Sequence, residues 1–420
     1  MNWRRRLIAS TVLASGFSCF SLLPVSVFAQ EPTVTKAGTR SELIEDQRKD
    51  KAEHLNPTKP DGIEQALEKY IGEDPLNKYL GGMSGLRLNL GGLPSGGGFA
   101  IGPEYYRTGL LKGQMHFRTS ATGSLKLWYE IETELRFPHL ADNHLDLDIS
   151  GRRLDANSVA YYGPGPDSDK AQRTNYRREE NALNASLAFK PTRRYLSLGV
   201  IAGYLWLNTG PGQSSLYASS EEQFSPMETP GIDHQTDYLR TGLFLDVDSR
   251  DQPSDPHAGT HFRVELNRFS DRNFDQYSFR QIDSTIEQYF PFFNEKRVIA
   301  LRARAVLSYP FSGNRLPFYM QPTLGGTSDL RGYQRYRFYD NNSFVMNAEY
   351  RWEIFTLMDA AVFADAGKVF HRDGDFGSEH LESDAGFGFR FKTRHNVALR
   401  IDTAFSHEGY GLWLTFDPIF

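Results

Sequence analysis

Residues 325–370 read GGTSDLRGYQRYRFYDNNSFVMNAEYRWEIFTLMDAAVFADAGKVF, a glycine-marked loop followed by two alternating runs. In the first run Val345, Asn347, Glu349, Arg351 and Glu353 share one face, and Phe344, Met346, Ala348, Tyr350, Trp352 and Ile354 share the other. In the second run Phe363, Asp365 and Gly367 oppose Ala360, Val362, Ala364 and Ala366. Period-two alternation predicts strands whose two faces meet different environments. Here the apolar face is long and aromatic while the other carries ionised groups. A membrane barrel supplies lipid to one face and an interior to the other.

Composition agrees with that reading. The 420 residues are 39% hydrophobic and 13% aromatic, with 30 Phe and 21 Tyr, a surplus that fits aromatic girdles at two membrane interfaces. Mean hydropathy is −0.51, and no apolar window of ~18 residues follows the N-terminus, which excludes helical spans. A net charge of −5 argues against a nucleic-acid partner. Residues 1–29 read as a secretory signal: Arg4, Arg5 and Arg6, an apolar stretch, then Val27-Phe28-Ala29 before Gln30. The single cysteine, Cys19, lies inside it, so the mature chain is expected to carry no disulfide. Residues 30–84 are expected to form a periplasmic extension. Its polar part, 30–60, carries six acidic and six basic residues. A short amphipathic helix is expected over 61–72, capped by Asp61, striped by Ile63, Leu67 and Ile71, and ended by Gly72. That helix could lie on the rim or plug the interior.

From residue 85 to 420 the pattern predicts sixteen strands: 86–92, 97–107, 112–121, 124–137, 143–154, 176–190, 195–208, 237–248, 260–270, 277–290, 296–309, 343–355, 358–370, 382–392, 396–406 and 410–420. The long connections 155–175, 209–236, 310–342 and 371–381 all follow odd-numbered strands, so they leave on one side. Membrane barrels have long loops outside and short turns on the periplasmic side. The chain ends on a strand with Leu412, Leu414, Phe416 and Phe420 on one face. Phe416 and the terminal Phe420 look like the C-terminal signal read by the outer-membrane barrel assembly machinery.

Several of these residues carry a family resemblance. Leu330-Arg331-Gly332-Tyr333, after Gly325-Gly326, resembles the loop-six motif of the Omp85 superfamily, the BamA/TamA-like surface-antigen barrels. Phe363-Ala364-Asp365-Ala366-Gly367 is similar to that family's thirteenth-strand motif, and Asn347-Ala348-Glu349-Tyr350-Arg351 to its twelfth. Asp246, Asp248, Arg250 and Asp251, followed by Pro256 and Gly259, resemble its turn between strands eight and nine. The resemblance implies a sixteen-stranded antiparallel transmembrane barrel. It also implies that Arg331 folds into the lumen against Asp365 and Glu349, close to Phe363 and Gly367. Arginine suits that role, because its planar fork binds two carboxylate oxygens at once. A shielded pair of this kind would cost ~3–5 kcal/mol to break, whereas a wet one is worth only ~0–1 kcal/mol. The contact could act as a permanent staple or as a switch that releases the loop. Periplasmic POTRA domains, usual in this family, find no counterpart in the pattern of 30–84.

The remaining motifs are weak. Gly96-Gly97-Gly98 lacks the lysine and hydroxyl of a phosphate loop and reads as a bend. His257 and His261 near Asp251 and Asp255 are expected in a turn, and no metal site is expected there. No Gly-x-Ser-x-Gly is present, and Ser328 has no evident base, so no catalytic residue, enzyme activity or cofactor is expected. The short, glycine-flanked first strand and Pro418 in the last predict a weak seam. The resemblance implies a bacterial outer-membrane protein that inserts or translocates protein or lipid clients, with outer-membrane lipid around it. The alternative is a narrow solute channel or substrate-binding barrel plugged by loop six.

Overall fold

The computed structural model describes residues 85–416 except 92, 95, 193–194 and 393–396. The expected signal, Cys19, the extension with its helix at 61–72, Pro418 and Phe420 lie outside the described residues. Sixteen strands pair in chain order into one antiparallel sheet. They are β1 Leu86–Leu90, β2 Ala100–Gly109, β3 Met115–Ser124, β4 Tyr129–Leu140, β5 Leu145–Tyr161, β6 Thr174–Phe189, β7 Leu196–Pro211 and β8 Tyr238–Asp248. The second half comprises β9 Gly259–Asp271, β10 Phe279–Phe292, β11 Arg297–Pro310, β12 Asn342–Phe355, β13 Met358–Phe370, β14 Glu382–Lys392, β15 Val397–Ser406 and β16 Gly409–Thr415. No helix among the described residues is long and apolar enough to cross a membrane.

Every strand expected from alternation has a counterpart, and the long connections follow β5, β7, β11 and β13. The bounds differ most early in the chain. The β3–β4 turn falls at 125–128 rather than 122–123, closed by Leu127 N–H donating to Ser124 O at 2.9 Å. Strands β5 and β6 reach further than expected, because Val159, Ala160 and Tyr161 pair with Tyr176, Asn175 and Thr174 beyond an irregularity after Ala156. The polar letters Asp155, Asn157 and Ser158 disguised that extension as loop. His261, grouped with His257 as a turn residue, stands in β9, inside the strand expected over 260–270.

The sheet curls around the 311–341 connection. Trp413 of β16 donates to the Arg331 carbonyl at 2.6 Å. Eight residues later the Tyr339 hydroxyl donates to Ala160 O of β5 at 2.9 Å. A fully extended eight-residue span covers at most about 29 Å, whereas β5 and β16 in a flat ladder would stand about 53 Å apart. Side-chain reach does not close that difference; curvature does. At the two ends of the sheet, the Phe99 and Phe416 rings meet edge-on with centroids 5.8 Å apart. Among the described residues, no ladder joins β1 to β16.

The concave interior is filled in part by aromatic side chains. Trp128, Tyr161, Tyr176, Tyr238, Phe269, Phe279, Phe318, Tyr319 and Tyr339 form one buried cluster. The aromatic surplus therefore does not belong to the outer face alone. Large rigid rings bury much area at small entropic cost, and they pack the 311–341 connection against β5–β10. On the convex side Leu183, Val200, Leu243, Leu266, Ile286, Phe290 and Met346 are exposed.

One contact fixes a neighbouring loop. The buried Lys368 ammonium donates to the carbonyls of Asp375 at 2.9 Å, Gly377 at 3.1 Å and Glu379 at 2.8 Å. Lys368→Met keeps the stem and removes all three donors. Because the loop is exposed and water can replace part of what is lost, the expected cost is local, about 1–2 kcal/mol. Amide exchange over 371–381 is expected to quicken by about tenfold with little change in global stability. Unchanged exchange there would show that the ammonium does not hold the loop.

Candidate functional site

Inward faces of β12 and β13 converge on Arg331. Pairing sets Val345 opposite Gly367, Asn347 opposite Asp365 and Glu349 opposite Phe363. The Gly367 position has to stay small, since an added Cβ would lie 2.8 Å from the Phe344 carbonyl. Arg331 Nε and Nη2 donate to the two oxygens of Asp365 at 2.7 and 2.8 Å, a fork-to-fork pair. Nη1 donates to Glu349 Oε2 at 2.8 Å. The guanidinium carbon lies 3.3 Å from the Phe363 ring centroid, which adds a cation–π contact. The side chains of Arg331, Glu349 and Asp365 are each 0% exposed. The pair therefore falls in the shielded regime.

Backbone contacts seat the motif as firmly as the charges do. Gly332 packs so closely that a Cβ would fall 2.5 Å from Asp384 Cβ and 2.9 Å from Ser406 Cβ. Ser406 Oγ donates to the Gly332 carbonyl at 2.9 Å. The Tyr333 hydroxyl donates to Glu382 at 2.5 Å and lies 3.0 Å from His407 Nδ1. Leu330 is buried with Leu324, Tyr333, Phe338, Val345 and Val369.

Arg390, Arg400 and Asp402 at the site carried no motif, while Asn347 and Arg351 belong to the twelfth-strand pattern. Arg390 of β14 donates to Glu349 at 2.8 Å and to Asp402 of β15 at 2.5 Å. Arg351 donates to Glu349 at 2.8 Å. Arg400 donates to Thr327 O at 2.8 Å. Asn347 bridges the Asp329 carbonyl and Asp365, both at 2.8 Å. Burying so many charges is tolerable only when each ion meets partners. The one signal for Arg390, Arg400 and Asp402 in the sequence is their place on the polar side of alternating strands.

The 249–258 turn is a separate structure at the other end of the strands. Asp248 accepts from the Arg250 backbone, Nε and Nη2 at 3.1, 2.9 and 2.8 Å. Arg250 reaches on to Glu287 at 3.1 Å. Its guanidinium is held above the ordinary arginine range: burial acts to lower it, and the hydrogen bond and charge of Asp248 outweigh that. Asp251 accepts the backbone N–H of His257 at 3.0 Å and of Ala258 at 3.1 Å. Asp246 accepts from Arg263 at 3.0 Å. Pro256 is buried, and Gly259 has φ 105°, with the Ser249 carbonyl 2.4 Å from where a Cβ would stand. These residues brace β8 against β9 and β10 and do not touch Arg331. Among the described residues no group of three or more His, Cys, Asp or Glu converges to hold a metal.

The model of the Omp85 superfamily domain matches residues 70–410. The chain belongs to the Omp85 superfamily. No curated protein sequence matches it closely enough to count as a relative. Among solved structures, this Omp85 chain is similar to BamA from Haemophilus ducreyi lacking POTRA domains 1–3, with a TM-score of 0.59 at 14% identity. That likeness covers 78% of this chain and 68% of BamA. It is also similar to CdiB from Escherichia coli, with a TM-score of 0.52 at 14% identity, covering 79% of this chain and 60% of CdiB. At such identities the likeness concerns the fold.

Proposed function

We propose that this Omp85 protein is a closed transmembrane barrel of the bacterial outer membrane that assists insertion or translocation of protein or lipid. The supporting observation is that one interior loop holds both the charge cluster and the last strand. Arg331 bonds β13 through its guanidinium and β16 through its carbonyl. Releasing the loop would then loosen the terminal strand, and displacing that strand would loosen the loop. The exposed apolar convex face is the lipid side, and the loop narrows the lumen. The work is mechanical, a local weakening of the bilayer beside the β1–β16 seam, and needs no covalent chemistry. The barrel assembly machinery would insert this chain itself.

A disulfide between one cysteine in Leu86–Leu90 and one in Gly409–Thr415 tests the reading. In vesicles given an unfolded outer-membrane barrel as probe, the reduced protein is expected to speed folding of the probe. The cross-linked protein is expected to lose that effect and regain it on reduction. Equal activity in both states sinks the seam mechanism. A solute channel would instead show steady conductance in planar bilayers, rising in Arg331→Ala.

A further inference from the structure

On the convex face of β9 and β10, Arg268 and Arg280 stand directly opposite each other in the ladder. Both are exposed. Their guanidinium carbons lie 5.1 and 4.9 Å from the same ring centroid, that of Phe311. Neither has a carboxylate or hydrogen-bond acceptor among the described residues. The contrast with the concave face of the same strands is sharp. There Arg240 holds Glu265, Arg263 holds Asp246 and Arg304 holds Asp283. Like charges directly opposed across a ladder are destabilising, so this pair calls for an anion from outside the protein.

Position narrows what that anion is. The arginine row continues through Thr241 of β8 and Tyr309 of β11. The adjacent row on the same face is Leu243, Leu266, Ile282 and Leu307, wholly apolar. Below it the same face of β10 carries Ile286, Phe290 and Phe292, with Ser284 and Gln288 between them. Ten residues separate Ile282 from Phe292, which at strand rise and barrel tilt is about 25 Å, the height of a barrel's apolar band. The arginines thus sit at one edge of that band, on the side where the long connections leave. Phe311 keeps the two forks together at the interface.

We propose that Arg268 and Arg280 form a site for the phosphate group of a lipid headgroup in the leaflet at that edge. This rests on the membrane reading given above. Each planar guanidinium can present two N–H groups to phosphate oxygens, and the apolar row beneath would receive the acyl chains.

The test uses the full chain reconstituted in phosphatidylcholine vesicles doped with phosphatidate, with flotation and native mass spectrometry of retained lipids. The parent is expected to float and to retain phosphatidate over phosphatidylcholine. Each of Arg268→Gln and Arg280→Gln is expected to lower that preference about fivefold, and the pair about thirtyfold. Arg297→Gln, whose guanidinium lies 4.5 Å from the Phe293 centroid at the opposite end of the band, is expected to leave it unchanged. Millimolar inorganic phosphate should not displace the lipid. A double variant with the parent's preference, or displacement by free phosphate, overturns the site. A parent that floats without any preference overturns it too, and leaves the membrane reading standing. A parent that does not float overturns the membrane reading, and the site falls with it.

Discussion

Arg331→Ala is expected to destabilise the sheet by about 3–5 kcal/mol, the range for removing one partner of a buried ion pair. The loss is not shared evenly between its acids. Glu349 keeps Arg351 and Arg390 at 2.8 Å each. Asp365 loses its only cation among the described residues and keeps Asn347 at 2.8 Å and the backbone N–H of residue 331 at 3.3 Å, and it stands opposite Asp384 in the ladder. Asp365 is therefore the stranded charge. Arg331→Lys is expected to fall between, since it keeps the charge but loses the fork and the ring stack. Adding Asp365→Ala to Arg331→Ala should recover part of the loss. Urea unfolding in detergent reads the stability, and limited proteolysis across 311–341 reads loop release. If the double variant is as unstable as the two single losses added, Asp365 is not the stranded group.

Much of this architecture could be read from alternation, because most strands here set polar or ionised side chains on one face and exposed apolar ones on the other. Strand number, strand order and the side of each long connection depend only on that contrast. The β5–β6 extension escaped because Asp155, Asn157 and Ser158 are polar yet sit in a ladder, where partners satisfy them. Arg177 donates to both oxygens of Asp155. Aromatic count could not say which side the rings fill, since periodicity sorts faces without naming their contents. Arg331, Glu349 and Asp365 were legible through a motif; Arg390, Asp402 and Trp413 were not. Their roles depend on how far the sheet curls, and no local pattern encodes that. Gly386 escaped for another reason: a glycine in a strand announces missing volume without saying what occupies it.

What occupies it is the Phe363 ring, and this gives a way to reach Arg331 without touching a charge. Gly386 stands between Phe363 of β13 and Ala404 of β15 in the ladder. A Cβ there would lie 2.6 Å from Phe363 Cζ and 2.2 Å from the Thr403 carbonyl. The ring can swing away, but the carbonyl belongs to a paired strand and cannot. Gly386→Ala is expected to cost about 1–3 kcal/mol, and Gly386→Val more, as overpacked cores do. Tilting the ring withdraws the surface on which the Arg331 guanidinium rests at 3.3 Å, so loop release should accompany the lost stability. Phe363→Leu on the Gly386→Ala background should restore only part, because the Thr403 contact remains. The decisive comparison is the cycle with Arg331→Ala. If Gly386 acts through the stacked arginine, the two losses should sum to less than their parts, as for residues sharing one network. Full additivity would mean that Gly386 merely spaces two strands and has no hold on the loop.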